Sequence, residues 1–175
     1  MLYVPGLFSF VHVPRTGGNA ITRTLVRHLI DTADVVCSMD HNRTLWRHMP
    51  AGALVAAIPR AASTPIFAID RDMEDIIYSD WRLHLTVPPV AKPAHDFEHR
   101  VAAAHDSLDA FRAFWFRFLG GKTPTRYWCE GANVATLPYN DMAASWAIIC
   151  KAAGLHGVPL PRVDYQKDRF LEGPP

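Results

Sequence analysis

The chain has 175 residues, of which 49% are hydrophobic, with five tryptophans and nine phenylalanines and a formal net charge of +1. That is enough apolar material to close one globular domain, and it excludes a disordered chain. The near-zero charge, without a long basic run, excludes general nucleic-acid binding but leaves room for one local anion site.

The elements follow in chain order. An apolar run over residues 7–13 predicts a strand that stops at Pro14. The turn Arg15-Thr16-Gly17-Gly18 follows at once, and a helix over 19–30 carries Ile21, Leu25 and Leu29 at helical spacing. A short strand is expected at 35–37, a polar turn at 38–43 and helical material over 44–58. Pro65 to Asp70 reads as a buried strand, and 73–85 as a helix with Glu74 and Asp75 in its first turn, where the macrodipole favours acids. Pro88, Pro89 and Pro93 break regular structure after Thr86. Helical segments are expected at 97–104 and 107–119, the second ended by Gly120-Gly121-Lys122. Short strands are expected at 126–129 and 134–139. A last helix over 141–153, capped by Asn140 or Asp141, has Met142, Trp146, Ile149 and Ala153 on one apolar face. The alternation predicts one α/β domain spanning 1–175, a mainly parallel sheet flanked by helices, with ligands at the carboxyl ends of the strands.

Strand, glycine turn and helix start is an arrangement that holds a phosphate or sulfate. Glycines let backbone N–H groups close around the anion, and the helix N-terminus adds its positive end. Arg15 supplies a charge, and Thr16 and Asn19 supply side-chain hydrogen bonds. Neither a Walker A loop nor a Gly-x-Gly-x-x-Gly fingerprint is present. At the second strand end, Arg71 stands eight residues before Ser79, about two turns along a helix.

Pro14-Arg15-Thr16-Gly17-Gly18-Asn19 resembles the 5′-phosphosulfate loop of the sulfotransferases, which usually reads Pro-Lys-Thr-Gly-Gly-Thr/Ser. The segment from Arg71 to Trp81 resembles the same family's 3′-phosphate segment, roughly Arg-Asp/Asn-Pro-x-x-Arg-Leu-x-Ser-x-Tyr. It keeps the arginine, the serine and an aromatic, but has Met73 for the proline and Ile76 for the second arginine. Lysine is replaced by Arg15 and the last hydroxyl residue of the loop by Asn19. The resemblance runs from about Phe8 to Arg169 and is to the polysaccharide, Golgi-type branch, in a short form more like the soluble bacterial members.

The resemblance implies a P-loop-like three-layer fold and transfer of a sulfuryl group from 3′-phosphoadenosine 5′-phosphosulfate to a hydroxyl or amine, with no bound metal. Arg15, Thr16, Gly17, Gly18, Asn19 and Ala20 would hold the 5′-phosphate, and Arg71 and Ser79 the 3′-phosphate. Arg15 would also neutralise the leaving oxygen. His41 stands where related members place a base, and an imidazole suits that task. His12 reads as a core or supporting residue, and His48, His84, His95, His99 and His105 as solvated or lining the loop over 86–106. That loop is the expected acceptor lid. It lacks the Lys/Arg cluster that a polyanion would need, so a small molecule, lipid-linked sugar or neutral glycan is expected as acceptor. Trp81 is open between a stacking surface and the core. Tyr165, Lys167 and Arg169 lie in a tail, 155–175, expected to be mostly solvated. Two other readings stay open: a nucleotide binder without turnover, and a small kinase-like phosphate-binding protein.

Cys37, Cys129 and Cys150 are odd in number and lack metal-ligand spacing, so a reducing cytosol is expected. No apolar run has transmembrane length, and Met1 to Gly6 lacks the features of a signal peptide.

Overall fold

A computed structural model describes residues 1–29, 36–37, 48–86 and 107–161. The expected helix over 97–104, the loop 86–106 beyond Thr86, His41 and the tail beyond residue 161 lie outside the described residues.

The chain opens with a hairpin. Strand β1 (Leu2–Val4) and strand β2 (Phe8–Val11) pair antiparallel across Pro5-Gly6-Leu7. Gly6 takes a φ of 74°, which glycine adopts without a Cβ penalty, and the Leu7 amide donates to the Val4 carbonyl at 3.1 Å. Helix α1 (Gly18–Leu29) follows β2, and strand β3 (Val36–Cys37) pairs antiparallel with β1. Helix α2 (Ala51–Ala57) runs into a 3₁₀ turn at Pro59–Ser63, which ends the helical stretch expected to reach Ile58. Strand β4 (Ile66–Asp70) leads into helix α3 (Met73–Thr86), whose first turn is capped by Asp72: its Oδ1 accepts from the amides of Glu74 and Asp75.

Helix α4 (Leu108–Phe118) is capped by Ser107, and helix α5 (Pro124–Cys129) by Thr123. A strand was expected at 126–129. Thr123 Oγ1 accepts the Arg126 amide at 3.3 Å and Pro124 occupies the first turn, so local capping chemistry makes the segment a short helix instead. Strand β5 (Val134–Pro138) and helix α6 (Met142–Ala152), capped by Asp141, complete the described order.

The described strands form one sheet in the order β3-β1-β2-β4-β5. Strands β2, β4 and β5 are parallel, whereas β1 is antiparallel to both its neighbours. The sheet is therefore mixed: four of the five described strands run in one direction, as the alternation predicted, and β1 runs against them. The reason is β1, which is too short to show a period and enters by a hairpin.

Helices cover both faces. Phe8, Phe10, Phe67 and Ile69 pack with Ile21, Leu25 and Leu29 of α1 and Trp146 and Ile149 of α6. On the other face Val11, Ile66 and Ala68 meet Leu54 of α2, Ile76 and Ile77 of α3, Phe111 and Trp115 of α4 and Trp128 of α5. A strand covered on both sides reads as a continuous apolar run, which is why β2 and β4 were visible in the sequence. Among the described residues, no helix is long and apolar enough to cross a membrane.

Phe10 is fully buried in the central strand. Phe10→Ala should destabilise the fold by about 3–5 kcal/mol, read from the midpoint of urea unfolding with the slope unchanged.

Candidate anion-binding site

The three parallel strands end on one edge of the sheet, and the segments leaving them meet there. After β2 the chain turns through His12 to Gly17. Thr16 is fully buried, and its hydroxyl donates to the Val13 carbonyl at 2.8 Å, which closes the turn from inside. Arg15 adopts φ 61° and Gly17 φ 79°. The left-handed region suits Gly17, but for arginine it must be held by the surroundings. The Gly17 carbonyl then accepts the Ile21 amide at 3.2 Å, starting α1. The first-turn amides of α1 have no partner within the helix, and that turn carries no acidic side chain to offset its positive end. Asn19 and Ala20 are half-buried in this turn.

Gly18 is fixed by contact rather than by dihedral. A Cβ there would stand 2.0 Å from His12 Cδ2. The His12 ring is buried, at 4% exposure, and lies 4.6 Å from the His48 ring. His48 Nδ1 donates to the His12 carbonyl at 3.0 Å, while the His48 carbonyl accepts the Trp128 indole N–H at 2.8 Å. His12 thus packs in the interior just beyond the strand end. His48, expected among the solvated or loop-lining histidines, is half-buried against it, held by these bonds to His12 and Trp128.

Arg15 reaches across to α3. Its Nη2 donates to Ser79 Oγ at 2.9 Å and to the Ser79 carbonyl at 3.1 Å, and its Nε to Ser79 Oγ at 3.2 Å. Asp80, buried in the next position, lies 3.9 Å from Arg15 Nε. Arg71 stands at the end of β4. Its Nη1 donates to the Arg15 carbonyl at 2.8 Å, and its guanidinium carbon sits 4.4 Å above the ring of Tyr139, which follows β5. Its Nε is buried without a hydrogen-bond partner and lies 4.0 Å from an Asp75 carboxylate oxygen. The fold thus gathers Arg15, Thr16, Gly17, Gly18, Asn19, Ala20, Arg71 and Ser79 at one edge. Ser79 engages the guanidinium of Arg15, however, not that of Arg71. His41 lies outside the described residues. Trp81, on α3, packs partly buried against the apolar cluster that α3 covers, with its indole N–H buried and unbonded.

Tyr139 and a pair formed by Asp70 and Thr125 were given no part in the site by the sequence reading, and His48 was expected to be solvated or loop-lining. Tyr139 had a usable signal, since it is the first residue after the third parallel strand. On the other face of β4's end, the Thr125 hydroxyl donates to Asp70 Oδ1 at 2.6 Å. Burial and then the Asp70 carboxylate push the nearby Cys129 thiol up to about 11, and burial raises Cys150 as well. Among the described residues, no group of three or more metal-ligating side chains occurs. No family model, curated protein or solved structure matches the chain.

Gly18→Ala should cost about 1–3 kcal/mol by overpacking against His12, and His12→Ala in that background should recover part of the loss. A double-mutant cycle of denaturation midpoints reads the coupling. Cys129 should resist alkylation at neutral pH, with its rate rising toward pH 11, followed by peptide mass mapping. Because the folded thiol holds its proton where the unfolded one has released it, stability should fall as pH rises from about 9 toward 11.

Proposed function

We propose that this edge is the donor site of a sulfotransferase with a P-loop-like fold, taking 3′-phosphoadenosine 5′-phosphosulfate and delivering its sulfuryl group to a hydroxyl or amine of a small molecule or glycan. The observation that carries the reading is the convergence of Arg15, Arg71 and Ser79, from two separate sequence motifs, beside the first turn of α1. The α1 amides, with Thr16 to Ala20, would cradle the 5′-phosphate. Arg71 and Ser79 would hold the 3′-phosphate at the start and second turn of α3. In-line transfer then needs charge neutralisation at the leaving phosphate oxygen, a task for Arg15, and a base beside the acceptor. The resemblance offers His41 for that base.

A second reading has one observation in its favour. The Arg15 guanidinium is committed to Ser79 and Asp80. An arginine so held could bind the donor nucleotide yet fail to follow the charge that develops as the bond breaks, giving a binder without turnover.

Calorimetric titration with adenosine 3′,5′-bisphosphate tests the donor site. A micromolar dissociation constant is expected, about −8 kcal/mol, with at least tenfold preference over ATP. Ser79→Ala and Arg71→Ala should each weaken it at least tenfold, with thermal melts showing that the variants remain folded. Equal binding of both nucleotides, or none, would remove the sulfotransferase reading. Arg15→Lys separates the two readings. Retained or increased turnover is expected of an enzyme, and absence of turnover in both forms of a binder.

A further inference from the structure

Resting on the donor-site reading, we propose that Tyr139 is a positioning residue for Arg71, and that it thereby sets the preference for a nucleotide carrying a 3′-phosphate. The Arg71 guanidinium carbon lies over the Tyr139 ring, 4.4 Å from its centroid. A cation placed there is attracted by the ring quadrupole. A ring face offers no lone pair, so the contact restrains the guanidinium and leaves its hydrogen bonds to be made with other partners.

Arg71 has donors left to use. Among the described residues its hydrogen bond is the one from Nη1 to the Arg15 carbonyl, at 2.8 Å. Nε is buried and makes none, and an Asp75 carboxylate oxygen stands 4.0 Å away, beyond hydrogen-bond distance. Most of the N–H groups of the fork are thus unspent. Arg15 differs, since its Nε and Nη2 both donate to Ser79. A guanidinium whose place is fixed while most of its donors remain unused is suited to a phosphate monoester, which can accept two parallel N–H bonds.

The ring is itself held. Tyr139 follows β5 directly and packs, partly buried, against the apolar cluster under α1 and α6. The carbonyl before it, of Pro138, accepts the hydroxyl of the fully buried Ser145 at 2.8 Å, and Asp141 caps α6 just beyond. The segment that carries the ring is therefore pinned on both sides. Without the ring, Arg71 would keep its Nη1 bond but lose the surface on which the guanidinium rests. Its other N–H groups would then sample several directions, and a bound phosphate would have to order them.

Calorimetric titration of the full chain with adenosine 3′,5′-bisphosphate and with adenosine 5′-phosphate tests the role, because the two ligands differ only in the 3′-phosphate. Wild type should prefer the bisphosphate by about tenfold or more. Tyr139→Leu should cut that preference about fivefold, with monophosphate affinity staying within twofold of wild type. Tyr139→Phe keeps the aromatic face and should keep the preference within twofold. In an Arg71→Ala background, Tyr139→Leu should change neither affinity beyond twofold. Thermal melts establish that each variant is folded, and Tyr139→Met replaces Tyr139→Leu should the latter not fold. A ring that met the base of the nucleotide, or served only to hold the fold, would weaken both ligands together when removed. Such a parallel loss overturns the proposal. So does a preference in Tyr139→Leu within twofold of wild type, or a loss in Tyr139→Phe equal to that in Tyr139→Leu. Equal binding of the two ligands by wild type is a different result: it removes the donor-site reading, and the assignment with it.

Discussion

Everything at the candidate site depends on the placement of one guanidinium. Arg71 leaves the middle parallel strand, donates to the Arg15 carbonyl in the segment after β2, and lies over Tyr139 in the segment after β5. Three strand ends are thereby cross-linked by a single side chain. A planar, permanently charged group with several donors suits this task, and a lysine ammonium could not bridge the same partners. The bond to the Arg15 carbonyl also helps to hold that residue in the left-handed region, an arrangement arginine adopts only when its surroundings over-determine it.

The site is supported from below by packing. Each face of the sheet is closed by its own apolar cluster, and β2 contributes to both. The strand that carries the glycine turn is therefore immobilised on two sides before the turn begins. His12 continues that support beyond the strand, filling the space under Gly18 so that α1 starts close to the sheet edge. His48 and Trp128 tie this layer to α2 and α5. Gly18 is needed for steric reasons and Gly17 for conformational ones, so the two adjacent glycines answer different constraints.

Each guanidinium at the edge has a carboxylate beside it: Asp80 lies 3.9 Å from Arg15 Nε and Asp75 lies 4.0 Å from Arg71 Nε. Arg15 is thus held across the edge by both Ser79 and Asp80 of α3.

The sequence by itself determined most of the elements and both anion-type motifs. The apolar runs of β2 and β4, the spacing of Ile21, Leu25 and Leu29, and the cap at Asp141 are local signals, set by side-chain period and by hydrogen bonds within a few residues. What it could not determine was how those pieces meet. A hairpin strand of three residues carries no period, so the mixed sheet came only with the tertiary structure. Thr123 and Pro124 turned an expected strand into α5, and that helix delivers Thr125 to Asp70 and Trp128 to His48. Likewise, Arg15 and Ser79 were legible as separate candidates. Their pairing across 64 positions of chain depends on the packing of α3 against the sheet, since contacts at long separation leave no trace in local pattern.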